Sequence, residues 1–145
     1  TFSKVFSLAG LRIGYAVADA RVIESLNKMR QPFNVNRLAQ AAASAALDCR
    51  GDLRAYVDET IRERERMRRS MEEMGCQCPP SETNFLFVTV SGFSGDICGG
   101  LEDLGVIVRP TAQFGSPANS FRVNTGTPEE NERFLAGLRR VLKKT

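Results

Sequence analysis

Lys4 stands in the stretch TFSKVFSLAGLRIGY, with Thr1 and Ser3 just ahead of it and Arg12, set between Gly10 and Gly14, just after. The two hydroxyls can donate to an anion. The planar fork of Arg12 matches phosphate more specifically than an ammonium would. Gly10 permits a turn that other residues resist. A lysine taken alone is by default a solvated surface residue; its company is what points to chemistry. A primary amine beside a phosphate cradle is what a pyridoxal phosphate (PLP) site needs. The amine forms a Schiff base with the aldehyde, while hydroxyls and guanidinium grip the phosphate.

Two further arginines lie far downstream. Arg109 ends the apolar run VIVRP, just before Pro110, and Arg122 sits inside SFRVNT. Arg122 alternates with Phe121 and Val123, so a strand there turns it to the face opposite its apolar neighbours. On spacing alone, Arg109 reads as an exposed residue at a strand end.

The elements that must position these residues can be read from periodicity. LRIGYAVA, residues 11–18, is continuous enough in apolar character for a buried strand. Asp19 then begins a helical pattern that Pro32 stops. Asn36 is the expected N-cap of an Ala-rich helix through residue 48, whose small side chains suit close helix packing. Leu53, Val57, Ile61, Met67, Met71 and Met74 recur at helical steps, with Arg64 interrupting the row. They predict one long helix of about 22 residues, about 33 Å, stopped by Gly75. Beyond it the order is β-α-β-β-α: NFLFVTV, a short helix weakened by Gly99 and Gly100, VIVRP, SFRVNT, and a last helix. Thr127, Pro128 and Glu130 sign the start of that helix as a capping box.

Composition bounds the classes. The chain has 145 residues, 42% hydrophobic and 26% charged, with a net charge of +3. That size suits one domain or parts of two. The charge is too mild for a nucleic-acid binder, and IRERERMRRSME reads as a salt-bridge-laced helix face. No apolar stretch approaches the roughly 18 residues of a membrane span. There is no His, and Cys76 and Cys78 form a lone C-x-C, so no metal is expected and the thiols read as reduced in a cytoplasmic protein.

The opening stretch resembles the PLP-lysine signature of the fold-type I aminotransferases. PFNVNRLAQAAA, PSETNFLFV, GVIVRP and FRVNTGTPEEN resemble segments of histidinol-phosphate aminotransferases, in that family's order across essentially the whole chain. The resemblance implies an α/β fold: residues 1–50 as the end of the large PLP-binding domain, 51–75 as a linking helix, and 76–145 as the small C-terminal domain. It implies Lys4 as the Schiff-base lysine and Thr1, Ser3 and Arg12 as phosphate contacts. Arg122 and Arg109 would hold the anionic end of the substrate, with Asn84 a further candidate for ligand contact.

The implied reaction transfers an amino group between L-histidinol phosphate and 2-oxoglutarate, in histidine biosynthesis, by a cytoplasmic homodimer. In that family the carboxylate on the pyridine nitrogen and the aromatic beside the ring lie before the lysine. The chain is therefore expected to be the C-terminal part of such an enzyme, cut before its lysine and inactive alone. An aromatic aminotransferase, a threonine-phosphate decarboxylase-like enzyme, or a non-catalytic α/β interaction module remain as alternatives.

Overall fold

The computed structural model describes residues 1–143; the side chains at positions 50 and 52 are outside the description, as are Lys144 and Thr145, the last two positions of the 76–145 span. The chain divides into two compact units, Thr1–Val57 and Asp58–Thr145.

The first unit opens with a loop wound around Phe2, which is buried. The Phe2 N–H donates to the Ile13 carbonyl at 3.2 Å, and its carbonyl accepts from the Leu8 N–H at 3.1 Å. The rings of Phe6 and Tyr15 pack on it at 4.7 and 5.9 Å. A short 3-10 turn, Ala9–Leu11, follows. Helix α1, Ala20–Met29, starts on Asp19, whose side chain accepts from the Arg21 N–H. Helix α2, Arg37–Asp48, starts on Asn36, which accepts from the Ala39 N–H at 2.8 Å. Ala39 and Ala43, one turn apart, are the buried residues of α2. Residues 13–19 correct the expected strand: they carry no regular structure, and Tyr15 and Val17 are exposed. A strand exists only as a member of a ladder, and no strand lies among residues 1–57 to pair with it.

Helix α3, Arg50–Glu73, is the long helix expected. Met67 and Met71 are fully buried. Arg64, the polar break in the row, is buried as well, and its Nη1 donates to the Thr83 carbonyl at 2.9 Å. Gly75, at φ +84°, ends the helix in the left-handed conformation that glycine adopts freely. The Cys76 N–H then closes back onto the Met71 carbonyl at 3.0 Å.

Strand β1 (Phe85–Thr89), helix α4 (Ile97–Glu102), strands β2 (Arg109–Pro110) and β3 (Ser120–Asn124), and helix α5 (Pro128–Leu142) complete the second unit in the predicted order. The sheet is antiparallel, in the order β1-β3-β2. Leu86 lies opposite Val123 and Val88 opposite Phe121. All four are buried in one core with Met67, Met71, Ile97, Leu101 and the inner face of α5. The glycine that weakens α4 is a packing requirement: a Cβ at Gly100 would lie 3.2 Å from the Val141 methyls. The capping box forms, with Thr127 Oγ1 accepting from the Glu130 N–H and Glu130 Oε2 accepting from the Thr127 N–H at 2.8 Å.

A buried carboxylate ties α3 to α5. Glu63 accepts from Asn131 Nδ2 at 2.8 Å, and Arg66 donates to it from Nε at 3.0 Å and from Nη2 at 2.9 Å. The Arg66 hydrogen bond, helped by Asn131 and opposed by burial, holds the Glu63 carboxyl below its usual range. A carboxylate with a lowered folded pKa contributes stability above its unfolded pKa and loses it as pH falls through the folded value. Glu63→Gln is therefore expected to flatten the acid limb of the stability–pH curve below about pH 4.5 and to cost about 1–3 kcal/mol at neutral pH. Urea titrations from pH 3 to 7 would check both.

Candidate functional site

The two groups of sequence-derived site residues fall in different units: Thr1, Ser3, Lys4 and Arg12 in the first, Arg109 and Arg122 in the second. In the first unit, Thr1 Oγ1 donates to Ser3 Oγ at 2.9 Å and accepts from the Ser3 N–H at 3.2 Å. The Lys4 carbonyl accepts from the Ser7 N–H at 2.8 Å, and Ser7 takes a left-handed φ of 56°. Arg12 is left-handed too, at φ 53°, with Nη1 donating to the Ala9 carbonyl at 2.6 Å.

The turn expected at Gly10 is thus made otherwise. Gly10 lies within the 3-10 turn without a positive φ, and Ser7 and Arg12 take the left-handed positions. Non-glycine residues in that region are costly and collect at ligand sites. Of the five guanidinium N–H donors of Arg12, one hydrogen bond uses one. Lys4 and Arg12 are exposed, and no carboxylate among the described residues pairs with either. Two linked hydroxyls, a guanidinium with free donors and an unpaired amine fit the phosphate and aldehyde ends of PLP. The exposure of Lys4 shows that residues 1–57 do not by themselves bury that amine.

In the second unit, Arg109 and Arg122 lie directly opposite each other across β2 and β3. Like charges in that register are mutually destabilising. No carboxylate among the described residues forms an ion pair with either, and the carboxylate that lines the same cavity, Glu130, is engaged in the capping box of α5. Each guanidinium rests instead on an aromatic face. Arg122 lies 4.8 Å from the centroid of the Phe85 ring and Arg109 lies 5.5 Å from that of Phe114. Arg122 Nε is buried and donates to nothing. Both arginines line a cavity of about 780 Å³. Its walls are residues 105–108 on one side and Val123, Asn124 and Gly126 on the other. A cation pair held against its own repulsion, with an orphaned buried donor, is arranged for an anion.

The aromatic platforms went unread in the sequence. In NFLFVTV the alternation puts Phe85 and Phe87 on the face away from Leu86 and Val88, and that was the signal for a ring beneath Arg122. Phe114 ends a short 3-10 turn, Ala112–Phe114, in a stretch whose sequence reads only as an irregular loop and gives no such periodicity. Asn84 uses its backbone: its carbonyl accepts from the Thr125 N–H at 2.9 Å, which extends the β1–β3 ladder by one pair. Cys76 and Cys78 are buried, and desolvation pushes their thiols up to about 11 and about 12, away from reactivity.

Comparison with known proteins bears on the family and the fold. The chain is 46% identical over 135 residues to an aromatic amino acid aminotransferase from Nocardia farcinica, covering 93% of the chain and 36% of that protein. It is 44% identical to histidinol-phosphate aminotransferase 2 of Methylococcus capsulatus, covering 98% of the chain and 38% of that protein. The chain thus spans little more than a third of the length of these relatives. Among solved structures, histidinol-phosphate aminotransferase from Sinorhizobium meliloti in complex with pyridoxal-5'-phosphate superposes with a TM-score of 0.81 at 29% identity, covering 99% of the chain and 40% of that structure. The L-threonine-O-3-phosphate decarboxylase of Porphyromonas gingivalis superposes at 0.78 with 25% identity, covering 99% and 45%. The fold is accordingly part of the fold-type I α/β architecture of PLP-dependent aminotransferases. The aminotransferase class I and II model matches residues 1–138, from the lysine loop through most of the last helix, and the chain belongs to that family.

Proposed function

We propose that this chain supplies the lysine loop and the substrate-anion site of a PLP-dependent transaminase whose amino donor is L-histidinol phosphate and whose acceptor is 2-oxoglutarate. The opposed pair Arg109 and Arg122 carries this reading, because it spends stability on an anion-binding arrangement. Thr1, Ser3 and Arg12 hold the cofactor phosphate. PLP, when bound, supplies an electrophilic aldehyde carbon and an electron sink. Lys4 Nζ is the covalent anchor. Once freed, the same amine would take the proton from the substrate carbon and deliver it to the cofactor's aldehyde-derived carbon. Arg122 and Arg109 grip the phosphate of the donor, or a carboxylate of the acceptor, and so orient the reacting carbon. The homodimer and the cytoplasmic setting implied by the resemblance belong to the same reading.

A second reading, an aromatic amino acid transaminase, is favoured by the name of the Nocardia farcinica relative. Both readings use an anion at the arginine pair and differ in what lies beyond the reacting carbon. The test is a donor panel on a complete aminotransferase carrying this sequence: L-histidinol phosphate, phenylalanine, tyrosine and L-threonine phosphate. The proposal expects kcat/KM for histidinol phosphate at least 10-fold above the rest. A preference for phenylalanine or tyrosine would establish the second reading, and carbon dioxide release from threonine phosphate would replace both.

A further inference from the structure

The arginine cavity is a gap in a sheet that the sequence could have closed. VIVRP has the composition of a strand through residues 106–110, yet only Arg109 and Pro110 join the ladder. The register puts Arg109 opposite Arg122, and the Thr111 N–H donates to the Ser120 carbonyl at 3.1 Å. Continued upstream, the same register would place Val108 opposite Val123, Ile107 opposite Asn124, and Gly105 opposite Gly126. Those are the residues that line the two walls of the cavity. No backbone hydrogen bond among the described residues crosses between them. The gap is therefore a ladder interrupted after its second pair.

One side chain stands where the ladder would continue. Asn131 is buried on the first turns of α5. Its Oδ1 accepts from the Gly126 N–H at 2.9 Å, and its Nδ2 donates to the Gly126 carbonyl at 3.1 Å. The amide thus makes to Gly126 the two bonds that a peptide on a neighbouring strand would make. Gly105 is engaged too: at φ +71° its N–H donates to the Glu102 carbonyl at 2.8 Å and its carbonyl accepts from Arg133 Nη2 at 3.3 Å. With Asn131 satisfying Gly126 as well, neither peptide gains by turning to the other. Asn131 cannot swing away cheaply. Its Nδ2 also donates to the buried Glu63, which Arg66 holds from the side.

We infer that Asn131 is a wedge: by taking the Gly126 peptide for itself, and locked by Glu63, it stops residues 105–108 from zipping onto 123–126 and so keeps the anion cavity open. Asn131 and Glu63 are positioning residues that act on the cavity wall and touch no reacting atom. The inference rests on the reading of Arg109 and Arg122 as an anion site for the value of an open cavity, and on the backbone geometry alone for the wedge.

The test uses the 145-residue chain, amide hydrogen exchange by NMR, and inorganic phosphate as the probe, titrated while the Arg122 Nε–Hε resonance is followed. In Asn131→Ala, the amides of Ile107 and Asn124, which would form the next hydrogen-bonded pair, are expected to become at least 10-fold slower to exchange. Phosphate affinity is expected to fall at least 10-fold in the same variant. Lost packing would speed exchange near the substitution, so a gain of protection across the gap separates the wedge from a merely structural role. If Asn131→Ala does not fold, the near-isosteric Asn131→Asp keeps the acceptor but loses both donated bonds, and the same amides are read. A folded variant with no new protection at Ile107 and Asn124 overturns the inference. New protection in the variant, with no phosphate binding by the unsubstituted chain, upholds the wedge and overturns the anion reading of the cavity instead.

Discussion

Replacing Lys4 with Ala is expected to lower transamination by a complete aminotransferase carrying this sequence by at least about 10²–10⁴-fold, the usual worth of a positioned general acid–base group. Loss of the covalent anchor adds to that. The loss should fall on kcat more than on KM, because Arg109 and Arg122, the proposed anion grip, remain. Lys4→Arg should be no better, since a guanidinium keeps the charge but neither condenses with an aldehyde nor gives up its proton near neutral pH. Steady-state kinetics with both half-reactions followed separately would check this. Stability should hardly change. The Lys4 side chain is exposed, and its structural bond is made by the backbone carbonyl to Ser7. A variant that kept turnover within a few-fold would remove Lys4 from the chemistry.

The second large effect is expected at Arg122, and in two directions. Arg122→Gln removes the charge and shortens the stem. With an anion present, the loss of a partly buried, charge-assisted contact is worth about 1.5–3 kcal/mol, or roughly 10–150-fold in affinity. Without an anion, the same substitution removes a like charge directly opposite Arg109, and a gain of a few tenths to about 1 kcal/mol offsets lost packing on Phe85. Affinity that falls while stability holds or rises marks a site that trades stability for binding. Arg109→Gln should show the weaker version of both effects, because that side chain is more exposed and lies farther from its ring. Phosphate titration together with urea melts on the same samples separates the two quantities. A variant in which stability and affinity fall in proportion would mean that Arg122 is structural.

Local rules reached much of this fold. Asp19, Asn36 and Thr127 cap the helices where they stand in the chain, because a short acceptor side chain meets the free N–H groups of the first turn whatever surrounds it. The Met67 and Met71 face and the Gly75 stop are likewise set by periodicity and by backbone conformation. Long-range satisfaction was not legible. Arg64 looked like a break in a helix face, and its partner, the Thr83 carbonyl, lies outside that helix. LRIGYAVA has strand composition, but a ladder requires a neighbour, and composition does not say whether one is present. VIVRP fails as a full strand for a different reason, set at its leading edge: Gly105 is held left-handed on the Glu102 carbonyl, and the Gly126 peptide it would face is taken by the side chain of Asn131.

At the site, residue types could be read and their geometry could not. Lysine, hydroxyls and arginine in the opening stretch point to a phosphate and an amine. Nothing in it shows that Ser7 and Arg12, not Gly10, take the left-handed turns. The arginines of the second unit are visible as charges near strand ends. That they face each other depends on a register set by a hairpin through an irregular loop, which strand composition does not determine.

The central claim is that Lys4 is the covalent anchor of a phosphate-bearing aldehyde cofactor, and reductive trapping tests it most directly. A complete aminotransferase carrying this sequence would be mixed with PLP, reduced with borohydride and mapped by peptide mass spectrometry. The described residues offer Lys28 and Lys143 as internal controls for ordinary surface amines. The account predicts a label concentrated on Lys4, reduced by Arg12→Gln and by competing inorganic phosphate. A label spread evenly over the lysines and indifferent to phosphate would contradict it.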